Sequence, residues 1–159
     1  MAVDFFLNIP GVKGESKDDA HKDEIEVLAW SWGMSQSGTM HSGTGGGTGK
    51  VSVQDFNITK YVDKSTPNLM QKCCTGKHYD EVIFTARKAG DKPLEYVKLT
   101  MNEVIVTAAN TGGSGGEEQV TENISLNFAK YKYEYTPQSE TGGKAGTITQ
   151  TFDIRANKE

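Results

Sequence analysis

An alternation of apolar and polar side chains, repeated along most of the chain, constrains its fold more than any other feature. Ile124, Leu126 and Phe128 alternate with polar residues, and the apolar residues of segment 3–9 keep the same two-residue spacing. Because successive side chains of a β-strand point to opposite faces of a sheet, this spacing predicts strands that are buried on one face. Seven strands are predicted, at residues 3–9, 24–36, 51–61, 81–88, 94–108, 118–135 and 147–155.

One helix interrupts the strands, at residues 65–76. Ser65 can cap its first turn, Pro67 suits a position near its start, and Gly76 suits the residue after its end. Seven strands and one short helix predict a mainly β fold. We expect an antiparallel β-barrel with one short flanking α-helix, formed by residues 1–159 as a single domain.

The triplet Trp30-Ser31-Trp32 is the most informative short segment. On a strand the two indoles share a face, so we expect them in the barrel core and Ser31 on the opposite, solvated or functional face. Within strand 24–36 the apolar residues shift from odd to even positions, and strand 51–61 shows a similar shift. Such a shift predicts a bulge or a change of buried face.

The charge balance and the chain ends exclude several classes of protein. A formal net charge of −4 over 159 residues argues against a nucleic-acid partner, which requires a basic surface. No stretch of 18 apolar residues is present, so we expect no membrane insertion. Residues 1–10 lack a basic region and contain Asp4, so we expect no secretory signal peptide.

The residues most often used in catalysis and metal binding are scattered. His21, His41 and His78 lack the spacing of metal ligands, and we expect them on the surface. Cys73 and Cys74 are adjacent, and we expect two small buried hydrophobes at a helix end. We therefore predict no catalytic residue, no metal and no cofactor, with a hydrolase that uses either thiol or His78 as the alternative.

The glycine-rich segment 40–50 ends in Gly49-Lys50, as a phosphate-binding loop does. That motif needs glycine where Thr44 stands and a hydroxyl where Val51 stands, and it opens a helix rather than a strand. We predict instead a long excursion between two strands, and loops of this length are commonly functional or disordered.

Four longer segments resemble one known family. They are GESKD at 14–18, LAWSWGM at 28–34, TKYVDKSTPNLM at 59–70 and TENISLNF at 121–128. In this order they resemble the haemolysin-coregulated protein family, Hcp. The resemblance implies a barrel protomer assembled as a ring, a homohexamer whose rings stack into the tube of a bacterial type VI secretion system.

The resemblance also implies partners and a route. The tube is expelled by a contracting sheath, meets spike proteins and can hold effector proteins in its lumen, so the chain is expected in the bacterial cytoplasm and then outside the cell. In a ring, the outward face that carries Ser31 can be the lumen, which makes Ser31 the predicted effector contact. The excursion is predicted to contact a neighbouring subunit or ring through Met40, His41, Gly45, Gly46, Gly47 and Lys50. A monomeric β-barrel module that binds a peptide or glycan is the alternative function.

Overall fold

The computed structural model describes residues 2–38, 40–41, 49–90, 92–139 and 145–159. These ranges contain one helix, α1 (Thr66–Thr75), and ten strands. The strands are β1 (Val3–Asn8), β2 (Ile25–Val27), β3 (Ala29–Ser31), β4 (Met34–Ser35), β5 (Ser52–Val53), β6 (Phe56–Tyr61), β7 (Tyr79–Lys88), β8 (Leu94–Gly112), β9 (Thr121–Tyr135) and β10 (Ile148–Asp153). The predicted mainly β fold with one helix is confirmed.

Eight strands form one antiparallel sheet that curls into a nearly closed barrel. Its order is β2-β1-β7-β8-β9-β6-β3, and β10 pairs with β9 beside this path. A single residue, Leu28, joins β2 at one end of the path to β3 at the other, and its amide nitrogen lies 2.7 Å from the Thr59 carbonyl oxygen on β6. The chain thus crosses from one sheet end to the other, which brings the two ends together.

This crossing explains the shift of apolar positions in segment 24–36. Ile25 and Val27 point into the core from β2, whereas beyond the exposed Leu28 it is Trp30 that packs against the core. Segment 51–61 is likewise divided, into β5 and β6, and the hairpin of β4 and β5 forms a separate two-stranded sheet. The predicted irregularities are therefore confirmed, and the predicted strand 24–36 is in fact three short strands.

Aromatic rings fill the centre of the barrel. The Phe84 ring centroid lies 4.8 Å from that of Trp30, 5.0 Å from that of Phe56 and 6.0 Å from that of Phe5. Trp32 packs edge-on against another core ring, that of Tyr131, at 4.9 Å. Both indoles are partly buried and pack against the core from its inner side, so the prediction that they share the core-facing side is confirmed, whereas complete burial is not observed.

In each of the two longest strands, β8 and β9, the buried face changes near the middle. The register between them breaks at Val106 and Ala108, and Glu103 adopts a positive φ of 54°. In β9 the buried positions are even-numbered as far as Phe128 and odd-numbered from Tyr131. Each strand therefore presents opposite faces to solvent in its two halves, as expected when an irregularity shifts the pleat by one residue.

Helix α1 packs on β8 and ends as predicted. Leu69 is fully buried, and Gly76 closes the helix at φ +71°, with its amide nitrogen donating to the Lys72 carbonyl oxygen at 2.9 Å. The prediction that Ser65 caps the helix was wrong. Ser65 already has helical dihedral angles, and its hydroxyl donates instead to Asp63 Oδ1 at 2.5 Å.

The histidine predictions were right for two positions and wrong for the third. His41 and His78 are exposed, whereas His21 is buried and its ring stacks on Phe6 with centroids 4.3 Å apart. Both of its ring nitrogens lie against carboxylates, Nδ1 at 2.8 Å from Glu24 and Nε2 at 2.6 Å from Glu95. Glu95 stands on β8, 74 residues away in sequence, so spacing alone does not reveal this contact.

Candidate functional site

One outward face of the barrel is built almost wholly from hydroxyl and amide side chains. It lies on β3, on β6 with the residue before it, on residues 121–128 of β9 and on residues 104–112 of β8. We call it the polar wall, and define it by Ser31, Asp55, Asn57, Thr59, Thr107, Asn123, Ser125 and Asn127. Its residues alternate with the core residues Phe56, Ile58, Ile124 and Leu126, each at most 2% exposed, so they point away from the core.

Side chains of the polar wall are paired across neighbouring strands. The Thr59 hydroxyl donates to Asn123 Oδ1 at 2.7 Å, and these residues are also register partners of β6 and β9. One step along the strands, the Ser125 hydroxyl donates to Asn57 Oδ1 at 2.5 Å in the same manner. Directly opposed polar residues stabilise a sheet by about 0.2–1 kcal/mol for each pair.

Asp55 is the one ionisable member of the polar wall, and its carboxylate is engaged on both oxygens. Asn127 Nδ2 donates to Oδ1 at 2.9 Å, and the Thr107 hydroxyl donates to Oδ2 at 2.7 Å. The polar wall therefore contains no cationic side chain, and its single negative charge is already hydrogen-bonded.

Ser31 lies at the border of the polar wall, next to Asn57 on the adjacent strand. It is exposed while its neighbour Trp30 points into the core, so the predicted division of the Trp-Ser-Trp triplet is confirmed. Within the described part of the chain, the Ser31 hydroxyl has no hydrogen-bond partner. It borders a shallow groove of about 280 Å³ that runs across β3, β6 and β9.

The glycine-rich excursion begins and ends in the small hairpin of β4 and β5. Met40 is 76% exposed, and His41 and Lys50 are exposed as well. Gly45, Gly46 and Gly47 lie outside the described residues. The prediction that the excursion connects two strands is confirmed, because Ser35 and Ser52 are paired at its base.

A buried ionic cluster beneath one end of the polar wall ties α1 to the barrel. Lys60 on β6 contacts Glu122 on β9, and both side chains are at most 1% exposed. Thr66, the first residue of α1, donates its hydroxyl to Glu122 Oε1 at 2.7 Å, and Asp63 Oδ1 lies 3.1 Å from Lys60 Nζ. Such a cluster is expected to fix how the helix start sits on the sheet, because buried charges tolerate few alternative arrangements.

A second charged group fastens segment 11–23 to the outside of the barrel. Arg87 on β7 donates to Asp18 at 2.6 and 2.9 Å and to Asp4 at 3.1 Å, and it lies over the Phe6 ring. The Arg87 guanidinium lowers the pKa of Asp18 to about 2. Like His21, this arginine joins segments that are far apart in sequence.

The two cysteine side chains differ in their exposure to solvent. Cys73 is partly buried and packs against the core, which agrees with the expected small hydrophobe, whereas Cys74 is exposed and departs from it. Adjacent helical residues point in directions about 100° apart, and here Cys73 is turned towards the core while Cys74 is turned towards solvent. Across the described ranges, no group of three His, Cys, Asp or Glu side chains is arranged to hold a metal ion.

The composition of the polar wall was only partly visible in the sequence. The alternation placed Asn123, Ser125 and Asn127 on one face of their strand, but nothing in it indicated which strand would lie beside them. Asp55, Asn57 and Thr59 belong to the site through pairings with residues more than 60 positions away. Ser31 is the one member of the polar wall for which the sequence predicts a functional role, because two tryptophans flank it.

Comparisons with known proteins agree with the resemblance noted in the sequence. The family model described as type VI secretion system effector, Hcp, matches residues 6–135. Protein hcp1 of Pseudomonas aeruginosa is 57% identical over 159 residues, covering 99% of this chain and 98% of its own length. No helix within the described residues is long and apolar enough to cross a membrane.

Solved structures give the same result. Hcp1 from Salmonella typhimurium is 45% identical with a TM-score of 0.83, and each chain covers 99% of the other. A structure described as a type six secretion system protein is 31% identical with a TM-score of 0.92, again with 99% coverage of both chains. On the family match, these identities and the shared barrel, the chain belongs to the Hcp family of type VI secretion proteins.

Proposed function

We propose that this protein is the subunit of a type VI secretion tube, a homohexameric ring whose lumen is lined by the polar wall. The observation that carries the proposal is the polar wall itself, an exposed, nearly uncharged sheet face on a member of the Hcp family. A tube that carries folded proteins needs an inner surface that is hydrated and free of strong charge, and the polar wall has both properties.

The edges of the wall support a ring. Among the described residues, β3 ends the sheet path, and β8 has no strand on its other side beyond Val104. The four strands of the wall therefore offer an unpaired edge on each side. Exposed edges readily pair with other chains. Joining β3 of one subunit to residues 105–112 of the next would give a closed, continuous wall, as a head-to-tail cyclic interface requires.

Within this ring we propose Ser31 as an effector contact. Its hydroxyl is exposed, has no hydrogen-bond partner within the described residues and lies beside the groove across β3, β6 and β9.

Effectors would lie in the lumen, and the sheath and spike proteins would contact the outside and the end of the tube. The subunit would leave the bacterial cytoplasm through the type VI apparatus and need no signal peptide.

The proposal makes the ring non-enzymatic. In the part of the chain that the structure describes, the buried ionisable side chains form structural contacts, such as Lys60 with Glu122 and Arg87 with Asp18.

The excursion 40–50 would serve assembly, with Met40, His41 and Lys50 exposed for contact with a neighbouring subunit or ring.

The test combines assembly with cargo retention. Light scattering and negative-stain microscopy should show rings with six times the 17.3 kDa mass of one chain, and a stable monomer would refute the proposal. Ser31→Glu should preserve ring formation and reduce co-purification of an effector that binds the parent ring. Ser114→Glu places the same charge on an exposed hairpin outside the polar wall, and it should leave retention unchanged. Equal retention by both variants would contradict the role of Ser31.

A further inference from the structure

Segment 11–23 folds back on itself as a loop on the outside of the barrel. The Asp23 amide donates to the Ser16 carbonyl oxygen at 2.8 Å, and the Ser16 amide donates to the Glu24 carbonyl oxygen at 3.0 Å. These amides become accessible to water whenever the loop opens, so their hydrogen exchange reports how firmly the loop is held.

Two ionic contacts hold the tip of this loop on neighbouring strands. Asp18 accepts from Arg87 on β7, and His21 Nε2 lies 2.6 Å from Glu95 on β8 while the His21 ring stacks on Phe6. The Asp18 contact keeps both charges at neutral pH and above, because Arg87 holds the pKa of Asp18 at about 2 and a guanidinium keeps its proton. Of the two contacts, only the one made by His21 can change its charge near neutral pH.

Both nitrogens of the His21 ring face acceptors. Nδ1 lies 2.8 Å from Glu24 Oε2, and Nε2 lies 2.6 Å from Glu95 Oε1. An ionised carboxylate offers only acceptors, and a neutral imidazole has only one N–H. A neutral ring would therefore turn a lone pair towards one of the two carboxylates, whereas an imidazolium donates to both.

The charges around the ring favour the imidazolium as well. Among the described residues, four carboxylates take part in the ion pairs at this place, namely Asp4 on β1, Asp18 and Glu24 at the loop, and Glu95 on β8. The cation shared by the first two is Arg87 on β7, whose guanidinium carbon lies 5.0 Å from the Phe6 ring centroid. A positive His21 supplies a second cation to this group, and a carboxylate close to a cation stabilises its charged form.

We propose that His21 is a pH-sensitive latch. As an imidazolium it bridges Glu24 and Glu95 and holds the loop against β8, and the loss of its second proton as the pH rises lets the loop open more often. The contact with Glu95 is the one that breaks, because the Glu95 side chain is 40% exposed and can turn to water, whereas that of Glu24 is 13% exposed. Opening of the loop uncovers Phe6, which is only 4% exposed with His21 stacked on it.

The first test is the charge state of the ring in the assembled protein, measured by nitrogen NMR with isotope-labelled histidine. The His21 signals are identified by their absence from His21→Gln. At about pH 6 the two ring nitrogens should resonate close together, as in an imidazolium, rather than far apart, as in a neutral ring.

The second test is hydrogen exchange of the loop, corrected for the intrinsic rate at each pH. The amides of Ser16 and Asp23 should exchange about tenfold faster at about pH 8.5 than at about pH 6, because one charge-assisted hydrogen bond is lost. The carboxylates and Arg87 keep their charges over this range.

Two variants separate the latch from a contact that is only structural. Glu95→Gln carries both a donor and an acceptor, so it can pair with Nε2 in either charge state of the ring. It should keep the loop amides protected at both pH values, whereas His21→Gln should leave them weakly protected at both. His78→Gln, at an exposed position, is the matched control and should behave like the parent.

Three results would overturn the latch. One is a neutral His21 ring at about pH 6, which would place the proton on a carboxyl group instead. Another is a corrected exchange rate of the loop that does not change with pH. The third is the pH dependence of the parent persisting in His21→Gln or in Glu95→Gln, which would assign the change to another group. None of these results depends on whether the protein forms a tube.

Discussion

Replacing Lys60 by methionine is the most direct test of the buried cluster that holds α1 on the barrel. Lys60→Met keeps much of the side-chain volume and removes the cation. Glu122 then stays buried with the Thr66 hydroxyl as its donor, because its second carboxylate oxygen already lacks a partner. A buried carboxylate without a cation strongly disfavours the folded state.

The expected magnitude follows from the burial of both partners. Their side chains are 0% and 1% exposed, so the variant loses the full interaction and keeps the desolvation penalty of the carboxylate. Breaking such a pair costs about 3–5 kcal/mol, a large part of the stability of a domain. For a chain of this size the midpoint of thermal unfolding should fall by about 10 °C. Lys60→Met with Glu122→Leu should recover part of the loss, because the fully buried carboxylate is removed with its cation, whereas Asp63 still loses its contact with Lys60 Nζ.

Urea unfolding of the parent, both single variants and the double variant, at one fixed protein concentration, measures the coupling between the two residues. Lys64→Met is the matched control. Lys64 is exposed, so its replacement should change the free energy of unfolding by less than about 0.5 kcal/mol. A Lys60→Met variant as stable as the control, or single effects that simply add in the double variant, would refute the reasoning.

Three further predictions concern charge, assembly and the thiols. The pKa of Asp18 is lowered by Arg87 to about 2 in the folded protein, so its stabilisation is complete above its ordinary pKa of 3.8 and disappears as the pH falls towards 2. Acid unfolding of Asp18→Asn should therefore be less steep than that of the parent between these values. Replacing residues 40–50 by an Asn-Gly turn should leave the circular dichroism spectrum unchanged and reduce tube formation in micrographs. Stacking like that of the parent would contradict the proposed contact. Replacing Cys73 and Cys74 by alanine should leave rings and export intact, and a variant that forms rings but is not exported would argue for a role of the thiols.

The barrel was predictable from the sequence because its signal is local. Alternation is a property of neighbouring residues, and it located every long strand and the helix within a few positions. The crossing at Leu28 was predictable only as an irregularity. The shift of apolar residues from odd to even positions shows that the buried face changes. It does not show that the chain passes from one end of the sheet to the other.

The buried polar contacts were not predictable, because they join residues that are far apart in sequence. Glu122 occupies a buried position between Ile124 and the exposed Val120, where the alternation alone favours an apolar residue. Its burial depends on Lys60, which is 62 residues away. The same holds for His21 with Glu95. From the sequence alone a charged residue is expected to be exposed. Only the sheet topology shows that a partner of opposite charge lies beside it on a neighbouring strand.

The cross-strand pairs of the polar wall have a kinetic consequence. Thr59 with Asn123, and Asn57 with Ser125, have already formed hydrogen bonds with each other before any ligand arrives. A protein lying against these pairs gains few new bonds unless it breaks existing ones, so the net enthalpy of contact stays small. Small gains of this kind give fast dissociation, because affinity differences among related complexes reside mainly in the off-rate. A surface built in this way favours rapid release over tight retention, even where it is polar throughout.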